Sequence, residues 1–212
     1  MAEPPPSELP IFELPLAIVP SEHVPLHIFE QRYRSMIASC LEGESPFGIV
    51  FRDDAGARAV GCTARVSEVV ERYDDGRLDV IVRGGDLFRV LDRFEAPEWP
   101  AARVEMIDVG SEGTDDEPDE ELAETRAAFA ELLEAVGADP ARASAAEDAF
   151  TIAAQIELPG AGKQRLLEAE DERERLLALS GSLREVVAGI GRSRRLAERA
   201  KLNGHGAPPG PP

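Results

Sequence analysis

Cysteine is scarce in this sequence, and long apolar runs are absent. The two cysteines, Cys40 and Cys62, are not spaced as a CxxC motif, so we expect reduced core residues rather than a disulfide or a metal pair. No stretch approaches the roughly 18 to 20 apolar residues of a membrane span, and residues 1–10 lack the basic start and apolar middle of a signal peptide. We therefore expect no membrane association and a cytoplasmic location.

Positive charge is also in short supply. Lys and Arg total 23 against 41 Asp and Glu, which gives a formal net charge of -18. A charge of this sign makes non-specific attraction to nucleic-acid phosphates or anionic lipid unfavourable, so nucleic acid is not the expected partner. The 212 residues have ordinary apolar content and suffice for one large domain or two small ones with a buried core.

Residues for metal binding and catalysis are equally few. The three histidines, His23, His27 and His205, have no acidic partner at a ligand spacing. Pro25 prevents a helix that would place His23 and His27 on one face, so we expect ordinary loop histidines. The serines lie in no nucleophile elbow, and the many carboxylates are dispersed as on a solvated surface. We predict no catalytic residue and no metal ligand.

A fragment of a phosphate-binding loop occurs at Gly160–Gln164, which reads Gly-Ala-Gly-Lys-Gln. A true P-loop needs a glycine five residues before Gly162 and a hydroxyl directly after the lysine. Those positions hold Glu157 and Gln164, and no buried apolar strand precedes the fragment. We therefore expect neither ATP nor another cofactor here.

Aromatic residues divide the chain near residue 110, since only Phe129 and Phe150 follow it. Aromatic and β-branched residues favour strands, whereas the Ala, Leu, Glu and Arg of the second half favour helices. This pattern predicts an α+β fold with a β part first. The expected divisions are a disordered tail at 1–8, a β-barrel at 9–109, an acidic linker at 110–119, a helical subdomain at 120–202 and a disordered tail at 203–212.

Within the first part, apolar runs separated by turn residues predict six or so short strands. We expect a strand at Phe12–Val19 interrupted by Pro15, a hairpin turn at Asp75–Gly76, and a sharp reversal at Gly84–Gly85 that leads into a strand at Leu87–Phe94. A helix is predicted where Tyr33, Met36, Ile37, Cys40 and Leu41 recur at helical spacing. Antiparallel strands of this kind form a small closed or nearly closed barrel.

The second part shows helical spacing almost throughout. One face carries Leu122, Arg126, Phe129, Leu133 and Val136, with Gly137 as a stop. Asp139–Pro140 then begins a helix whose buried stripe runs to Ile156, followed by a short helix and a long one from Asp171 to about Leu202. Glycines inside the long helix weaken it by up to about 1 kcal/mol each relative to alanine, which favours a bend or a break. These are Gly181, Gly189 and Gly191.

The order of motifs in the first part resembles one known family. The matching segments are Leu9–Phe12, Leu14–Leu16, Pro25–Glu30, Arg32–Arg34, Phe47–Val50, Gly61–Val66, Gly76–Gly84 and Phe88–Val90. This series is similar to the substrate-binding domain at the N-terminus of Lon-type ATP-dependent proteases. The resemblance implies a PUA-like β pseudo-barrel followed by a helical subdomain. It also implies structural roles for Pro25, Leu26, Phe29 and Tyr33, with Phe29 and Tyr33 packing the first helix onto the barrel.

The same resemblance indicates what this chain does not carry. Lon-type proteases place a serine nucleophile and a lysine base in domains downstream, together with an ATPase, whereas this sequence has only Lys163 and Lys201 and no room for an ATPase. We therefore expect a non-enzymatic protein-binding or peptide-binding module, with an adaptor role in protein quality control. Its client would be an unfolded or degron-bearing polypeptide, bound in apolar grooves or at a sheet edge. The binding residues and the oligomeric state are left open.

Two features of the sequence are compatible with functions or contacts other than those the resemblance implies. Arginines near the C-terminus could bind RNA together with the PUA-like barrel, or could simply complement the negative end of a helix dipole. The basic residues in question are Arg192, Arg194, Arg195, Arg199 and Lys201. Trp99, between Pro97 and Pro100, could anchor a peptide, although we expect it to cover one end of the barrel. A small hydrolase with an unrecognised site is the third possibility.

Overall fold

Seven strands and a set of helices build the protein in a computed structural model that describes residues 7–96, 98–109 and 119–203. The strands are β1 (Ser7–Leu14), β2 (His23–Ile28), β3 (Phe47–Asp53), β4 (Gly56–Ala57), β5 (Val60–Arg72), β6 (Leu78–Glu95) and β7 (Pro100–Ile107). The α-helices are α1 (Gln31–Glu42), α2 (Asp119–Val136), α3 (Ala149–Ala153), α4 (Gly160–Glu168) and α5 (Glu172–Asn203), with a 3-10 helix at Pro140–Ala145 between α2 and α3. The predicted α+β class is confirmed.

Five of the strands close into a ring. The hydrogen-bonded order runs β1-β7-β6-β5-β3, and β1 also pairs with β3 in parallel, with Ile11 opposite Gly48 and Leu14 opposite Phe51. This last pairing joins the two ends of the sheet, so the predicted closed barrel is present. The two short strands β2 and β4 lie outside the ring, on β6 and β3 respectively. Closure removes the free edges that an open sheet of these strands would expose.

The hairpin turn predicted at Asp75–Gly76 is present, but the reversal predicted at Gly84–Gly85 is wrong. Gly76 adopts a φ of 85°, which favours glycine, and Asp75 Oδ1 accepts a hydrogen bond from Arg77 N at 3.1 Å. Gly84 and Gly85 instead lie inside the continuous strand β6. A Cβ on Gly84 would clash with the carbonyl oxygen of Val19. Gly84 therefore allows another backbone segment to approach closely. Glycine permits such an approach as readily as it permits a turn.

The segment between β1 and β2 departs from the predicted strand Phe12–Val19. β1 ends at Leu14, directly before Pro15, and it begins at Ser7, so Ser7 and Glu8 belong to the sheet rather than to a tail. Residues 17–19 are buried without being part of a strand. The chain here crosses β6, where Ser21 N donates to Gly84 O at 3.0 Å and Gly84 N donates to Glu22 O at 2.9 Å. Proline ends the ladder because it lacks the N–H that a ladder needs.

The helical part also differs in detail from its prediction. The helix expected from Asp139 to Ile156 is divided into the 3-10 helix and α3, because Asp148 caps α3 by accepting a hydrogen bond from Thr151 N at 2.6 Å. The long helix α5 is neither divided nor ended early at its glycines, and it extends one residue past the predicted limit to Asn203. Val136 is exposed rather than buried, whereas Phe129 and Leu133 lie in the core. Residues 110–118 of the linker predicted at 110–119 lie outside the described residues, and Asp119 is the first residue of α2.

The main hydrophobic core is continuous between the barrel and the helices. It contains Phe47 and Ile49 from the barrel together with Phe129, Leu166 and Leu176 from the helical part. Burial of apolar surface stabilises at roughly 25 cal/mol per Å², so a shared core ties the two parts together. No helix in the described residues is long and apolar enough to cross a membrane.

Candidate functional site

The fragment that resembles a P-loop forms the junction between the helical part and the barrel. Lys163 is only 8% exposed, and its Nζ donates to Oε1 of Glu22, which is 7% exposed and lies between β1 and β2. The other oxygen, Glu22 Oε2, accepts a hydrogen bond from Val19 N at 3.1 Å. The lysine is therefore engaged in a buried ion pair, with both carboxylate oxygens satisfied. The P-loop-like fragment drew attention to Lys163, but nothing in the sequence indicated that Glu22 would be its partner.

Gln164 makes the second polar contact across this junction. Its Nε2 donates to Val60 O at 3.1 Å and to Glu168 Oε1 at 2.8 Å. Both partners are acceptors, which fixes the amide orientation and directs Oε1 away from them. Gln164 is 3% exposed, and its Oε1 has no hydrogen-bond partner among the described residues. A buried acceptor without a partner costs about 1 to 3 kcal/mol, so it is a place where a ligand or water gains a hydrogen bond.

A groove of about 410 Å³ adjoins the junction, and we call it the junction groove. Its volume lies within the range typical of ligand sites in proteins. Apolar side chains from α4, α5 and the preceding loop share its wall with polar ones. The lining residues are Arg58, Leu158, Pro159, Ala161, Gly162, Gln164, Arg165, Glu168, Ser182, Glu185 and Val186. The barrel contributes Arg58, so the groove requires both parts of the molecule.

Arg58, another residue that lines the groove, also has a buried polar atom without a partner in the described ranges. Its Nη2 donates to Asp53 Oδ2 at 2.6 Å, and this hydrogen bond is the main reason that the pKa of Asp53 lies below its ordinary value. Its Nε is buried and has no partner within the described part of the chain. The groove wall therefore contains one unmatched donor and one unmatched acceptor. Arg58 was not singled out from the sequence, and Gln164 was named only as the residue that stands where a P-loop has a hydroxyl, because the roles of both depend on contacts between distant segments.

Histidines predicted to lie in loops are found on a strand instead. His23 and His27 belong to β2, where Pro25 interrupts helix but is compatible with an edge strand. His27 Nδ1 lies 2.5 Å from Asp79 Oδ1 on β6, and Asp79 Oδ2 accepts a hydrogen bond from the hydroxyl of Tyr73 at 2.7 Å. The contact with His27 and that with Tyr73 lower the pKa of Asp79. His205 lies outside the described residues.

The hydrogen bonds of Tyr73 make its ionisation a test of this outer cluster. Donation to Asp79, and to Glu71 at 3.1 Å, raises the pKa of Tyr73 to about 12 from 10.0. In a Tyr33→Phe background Tyr73 is the one remaining tyrosine, and we expect ultraviolet absorbance to show tyrosinate forming near pH 12. Because the pKa of Tyr73 is higher in the folded protein than in the unfolded chain, the protonated tyrosine stabilises the folded state. This stabilisation is complete below about pH 10 and is lost as the pH rises towards 12.

Asp79→Asn provides the control for that titration. Removal of the charged acceptor removes the largest cause of the shift, so the midpoint should fall towards that of an unperturbed tyrosine. A midpoint near pH 10 in the protein with Asp79 intact would contradict the hydrogen-bonded cluster.

The structural roles expected for the Pro25–Tyr33 segment are only partly observed. Leu26 and Tyr33 are buried, and the Tyr33 ring lies 4.0 Å from that of Phe12 on β1. Phe29, however, is 61% exposed, so the expectation that it packs α1 onto the barrel is wrong. Its ring lies 6.0 Å from that of His27. Phe29 lies two residues before the first residue of α1 and is exposed, whereas Tyr33 lies in the first turn of the helix and packs against Phe12 of β1.

Trp99, Arg194 and the two cysteines, which also stood out in the sequence, are buried or make contacts that stabilise the fold. Trp99 is partly buried and packs against the main core. Arg194 donates to Ala135 O at the C-terminal end of α2, where a cation complements the helix dipole. Cys40 and Cys62 are free and buried, and burial raises the pKa of both thiols, that of Cys62 to about 12. Across the described ranges, no three His, Cys, Asp or Glu side chains gather around a possible metal position.

Comparison with known proteins identifies the family. The model of the ATP-dependent protease La (LON) substrate-binding domain matches residues 8–185. A Lon N-terminal domain protein from Xanthomonas campestris is similar, with 24% sequence identity and a TM-score of 0.59 over 82% of this chain and 96% of that one. The N terminal domain of Mycobacterium avium complex Lon protease shares 21% identity, with a TM-score of 0.69 over 84% of this chain and 98% of that one. The two solved structures share the fold, and the match over residues 8–185 shows that this chain belongs to the Lon substrate-binding domain family.

Proposed function

We propose that this protein is a non-enzymatic module that binds a segment of an unfolded or degron-bearing polypeptide in the junction groove. Membership of a substrate-binding family supports a polypeptide as the client. In this proposal the binding serves an adaptor role in protein quality control in the cytoplasm. The two free, buried cysteines are compatible with a reducing compartment.

The single observation that carries the proposal is the composition of the groove wall. Leu158, Pro159, Ala161 and Val186 offer apolar surface, and two further lining residues each have one buried polar atom without a partner among the described residues, an acceptor on Gln164 and a donor on Arg58. A polypeptide supplies one N–H donor and one C=O acceptor per residue, together with side chains that can cover apolar surface. Both unmatched atoms lie beneath the surface, so a client reaches them through a bridging water or after a small rotation of the side chains.

Strand addition to a sheet edge is the less favourable mode of binding. β2 pairs with β6 outside the closed ring and holds Pro25 at its centre. Proline lacks the N–H that an added strand would use, and proline on an edge is a common protection against such pairing. β4 is only two residues long. The groove therefore provides more of what an extended client needs than either outer strand does.

The state of Lys163 supports the absence of catalysis in this part of the molecule. A lysine that acts as a general base must release its proton and reach the nucleophile that it activates. Lys163 is instead held against Glu22 in a buried ion pair, so its Nζ is already engaged. The same pair anchors α4 beside the groove, which suits a binding surface of fixed shape.

Substitution of Val186 tests the location of the binding site. We expect Val186→Asp to weaken binding of an unfolded polypeptide by about tenfold, a loss of about 1.4 kcal/mol, because it places a charge on the apolar wall. The probe is fluorescein-labelled lysozyme whose disulfides have been reduced and alkylated, followed by fluorescence anisotropy. Leu177→Asp is the matched control, since Leu177 lies on the same helix, is also exposed and does not line the groove. Equal weakening by both variants would contradict the proposed location.

RNA binding stays an alternative hypothesis with less support. Arg194, one of its proposed contacts, already caps α2 through Ala135, and the sequence offers no aromatic residue after Phe150 on which a base could stack. A filter-binding titration at low salt separates the two functions. Affinity that falls with salt, and that is reduced by neutralising Arg194 and Arg195, would favour RNA over a polypeptide client.

A further inference from the structure

A second groove, of about 480 Å³, lies on the barrel and contains an unusual concentration of positive charge. Arg32, Arg52 and Arg93 all line it, against the single carboxylate of Glu13. We call it the arginine groove. The chain as a whole carries a formal net charge of -18, so three arginines in one groove run against its general composition. A local charge opposite in sign to that of the surrounding surface favours an anionic ligand.

Glu13 holds two of these arginines in fixed positions. Arg52 donates from Nε to Glu13 Oε2 at 2.8 Å, and Arg93 donates from Nε to Oε1 at 3.2 Å. The three residues come from β3, β1 and β6, so the cluster is built on the closed barrel. One carboxylate neutralises only one of two guanidinium groups. The cluster therefore retains one positive charge, and the half-exposed arginines present it to solvent.

Arg32 extends the cluster from the start of α1. Its guanidinium lies 4.5 Å from the centre of the Tyr33 ring, and its Nη2 lies 3.2 Å from Glu30 Oε2. Both contacts restrain a side chain that would otherwise lose conformational entropy on binding a ligand. Apolar residues complete the groove, with Ile11 and Ala101 buried and Phe94 and Pro100 partly buried. The site thus combines a restrained cationic side with an apolar side.

We propose that the arginine groove binds the free C-terminal carboxylate of a client polypeptide and an apolar last side chain. The Nε and Nη2 groups of Arg52 and Arg93 already donate to Glu13 and to Arg58 O, so a client carboxylate would bind through the Nη1 groups. The apolar wall offers a place for the terminal side chain. Glu30 offsets Arg32 and Glu13 offsets one of the other two arginines, which leaves a single excess positive charge. One positive charge matches a monoanion, whereas a phosphate group would bring a charge of about −1.5 to −2 near Glu13. This inference rests on the proposed function, because it specifies which part of a polypeptide the protein recognises.

Two peptides that differ only at the C-terminus test the inference. The probes are labelled, N-terminally blocked Gly-Ser peptides that end in leucine, one as the free acid and the other as the amide. In anisotropy titrations of the full chain, we expect the free acid to bind about tenfold more tightly, and this preference should shrink as salt screens the arginines. Arg93→Gln should abolish the preference. Arg103→Gln should retain it, since Arg103 is an exposed arginine on β7 that does not line the groove.

The outcomes distinguish this inference from the proposed function. Equal affinity for acid and amide, or no binding of either, would overturn the carboxylate site. If unfolded lysozyme still bound and Val186→Asp still weakened it, the junction groove would stand without the arginine groove. An amidated peptide with an internal aspartate provides the last arm. If it bound as tightly as the free acid, the site would recognise acidic side chains, and recognition of a chain end would be wrong.

Discussion

Lys163→Ala is expected to lower the free energy of unfolding by about 3 to 5 kcal/mol, because removal of one partner leaves a buried charge uncompensated. Glu22 is 7% exposed, and its carboxylate has Lys163 as its ion-pair partner and Val19 N as its second contact. Without the lysine, one carboxylate oxygen loses its charged donor in a site that water hardly reaches. Urea denaturation followed by circular dichroism measures the change as a shift of the midpoint.

A double variant separates the charge from the packing. In Glu22→Gln with Lys163→Met, the amide oxygen can still accept from Val19 N, and methionine fills the volume of the lysine stem. Replacement of a buried ion pair by well-packed apolar groups of similar volume is often close to neutral. Because the new amide nitrogen lacks an acceptor beside methionine, at a cost of about 1 to 3 kcal/mol, we expect the double variant to recover only part of the stability lost by Lys163→Ala. A loss of less than about 1 kcal/mol for Lys163→Ala, as for a surface ion pair, would show that the junction does not depend on this contact.

Gly84→Ala is expected to destabilise the fold by about 3 kcal/mol, since the added methyl group overpacks a site where backbone meets backbone. The new Cβ would clash with the carbonyl oxygen of Val19. The crossing segment cannot easily move away, because Ser21 and Glu22 hydrogen bond to the backbone of Gly84 itself. A displacement of this segment would also disturb the pairing of Glu22 with Lys163. Thermal and urea denaturation both measure the effect.

Gly181→Ala is the matched control for Gly84→Ala. Gly181 lies in α5, and a Cβ there would meet no atom within 4 Å. Alanine is the better helix former by up to about 1 kcal/mol, so this variant should be slightly more stable than the natural chain. The two substitutions are chemically identical and are expected to have opposite signs. If Gly84→Ala were tolerated as well as Gly181→Ala, the close approach of Val19 to Gly84 would be contradicted.

The β-barrel could be predicted from the sequence because its turns and strands are specified by residues that are neighbours in the chain. Asp75–Gly76 has the residue types of a tight turn, and Leu78, Val80 and Val82 alternate as a strand with one buried face. The reversal expected at Gly84–Gly85 failed for a related reason. Paired glycines signal either a turn or a close approach, and the segment that approaches Gly84 lies more than 60 residues earlier in the chain.

The candidate sites were harder to predict because their residues come from distant segments. The P-loop-like fragment drew attention to Lys163, but its partner Glu22 is 141 residues away in sequence. Arg52 and Arg93 meet at Glu13 only because closure of the barrel brings β1, β3 and β6 together. The prediction for Phe29 failed for a different reason. Its apolar character suggested burial, yet a single exposed aromatic residue is compatible with a stable fold.

An anisotropy titration with native and with unfolded lysozyme as ligands tests whether this protein prefers an unfolded polypeptide. Both forms carry the same strongly basic composition, so attraction to the acidic surface of this protein contributes to both. We predict that the full chain binds the reduced and alkylated form at least about tenfold more tightly than the native form, and that Val186→Asp removes most of this difference. Equal affinity for the two forms, or an undiminished difference in Val186→Asp, would contradict binding of unfolded polypeptide in the junction groove.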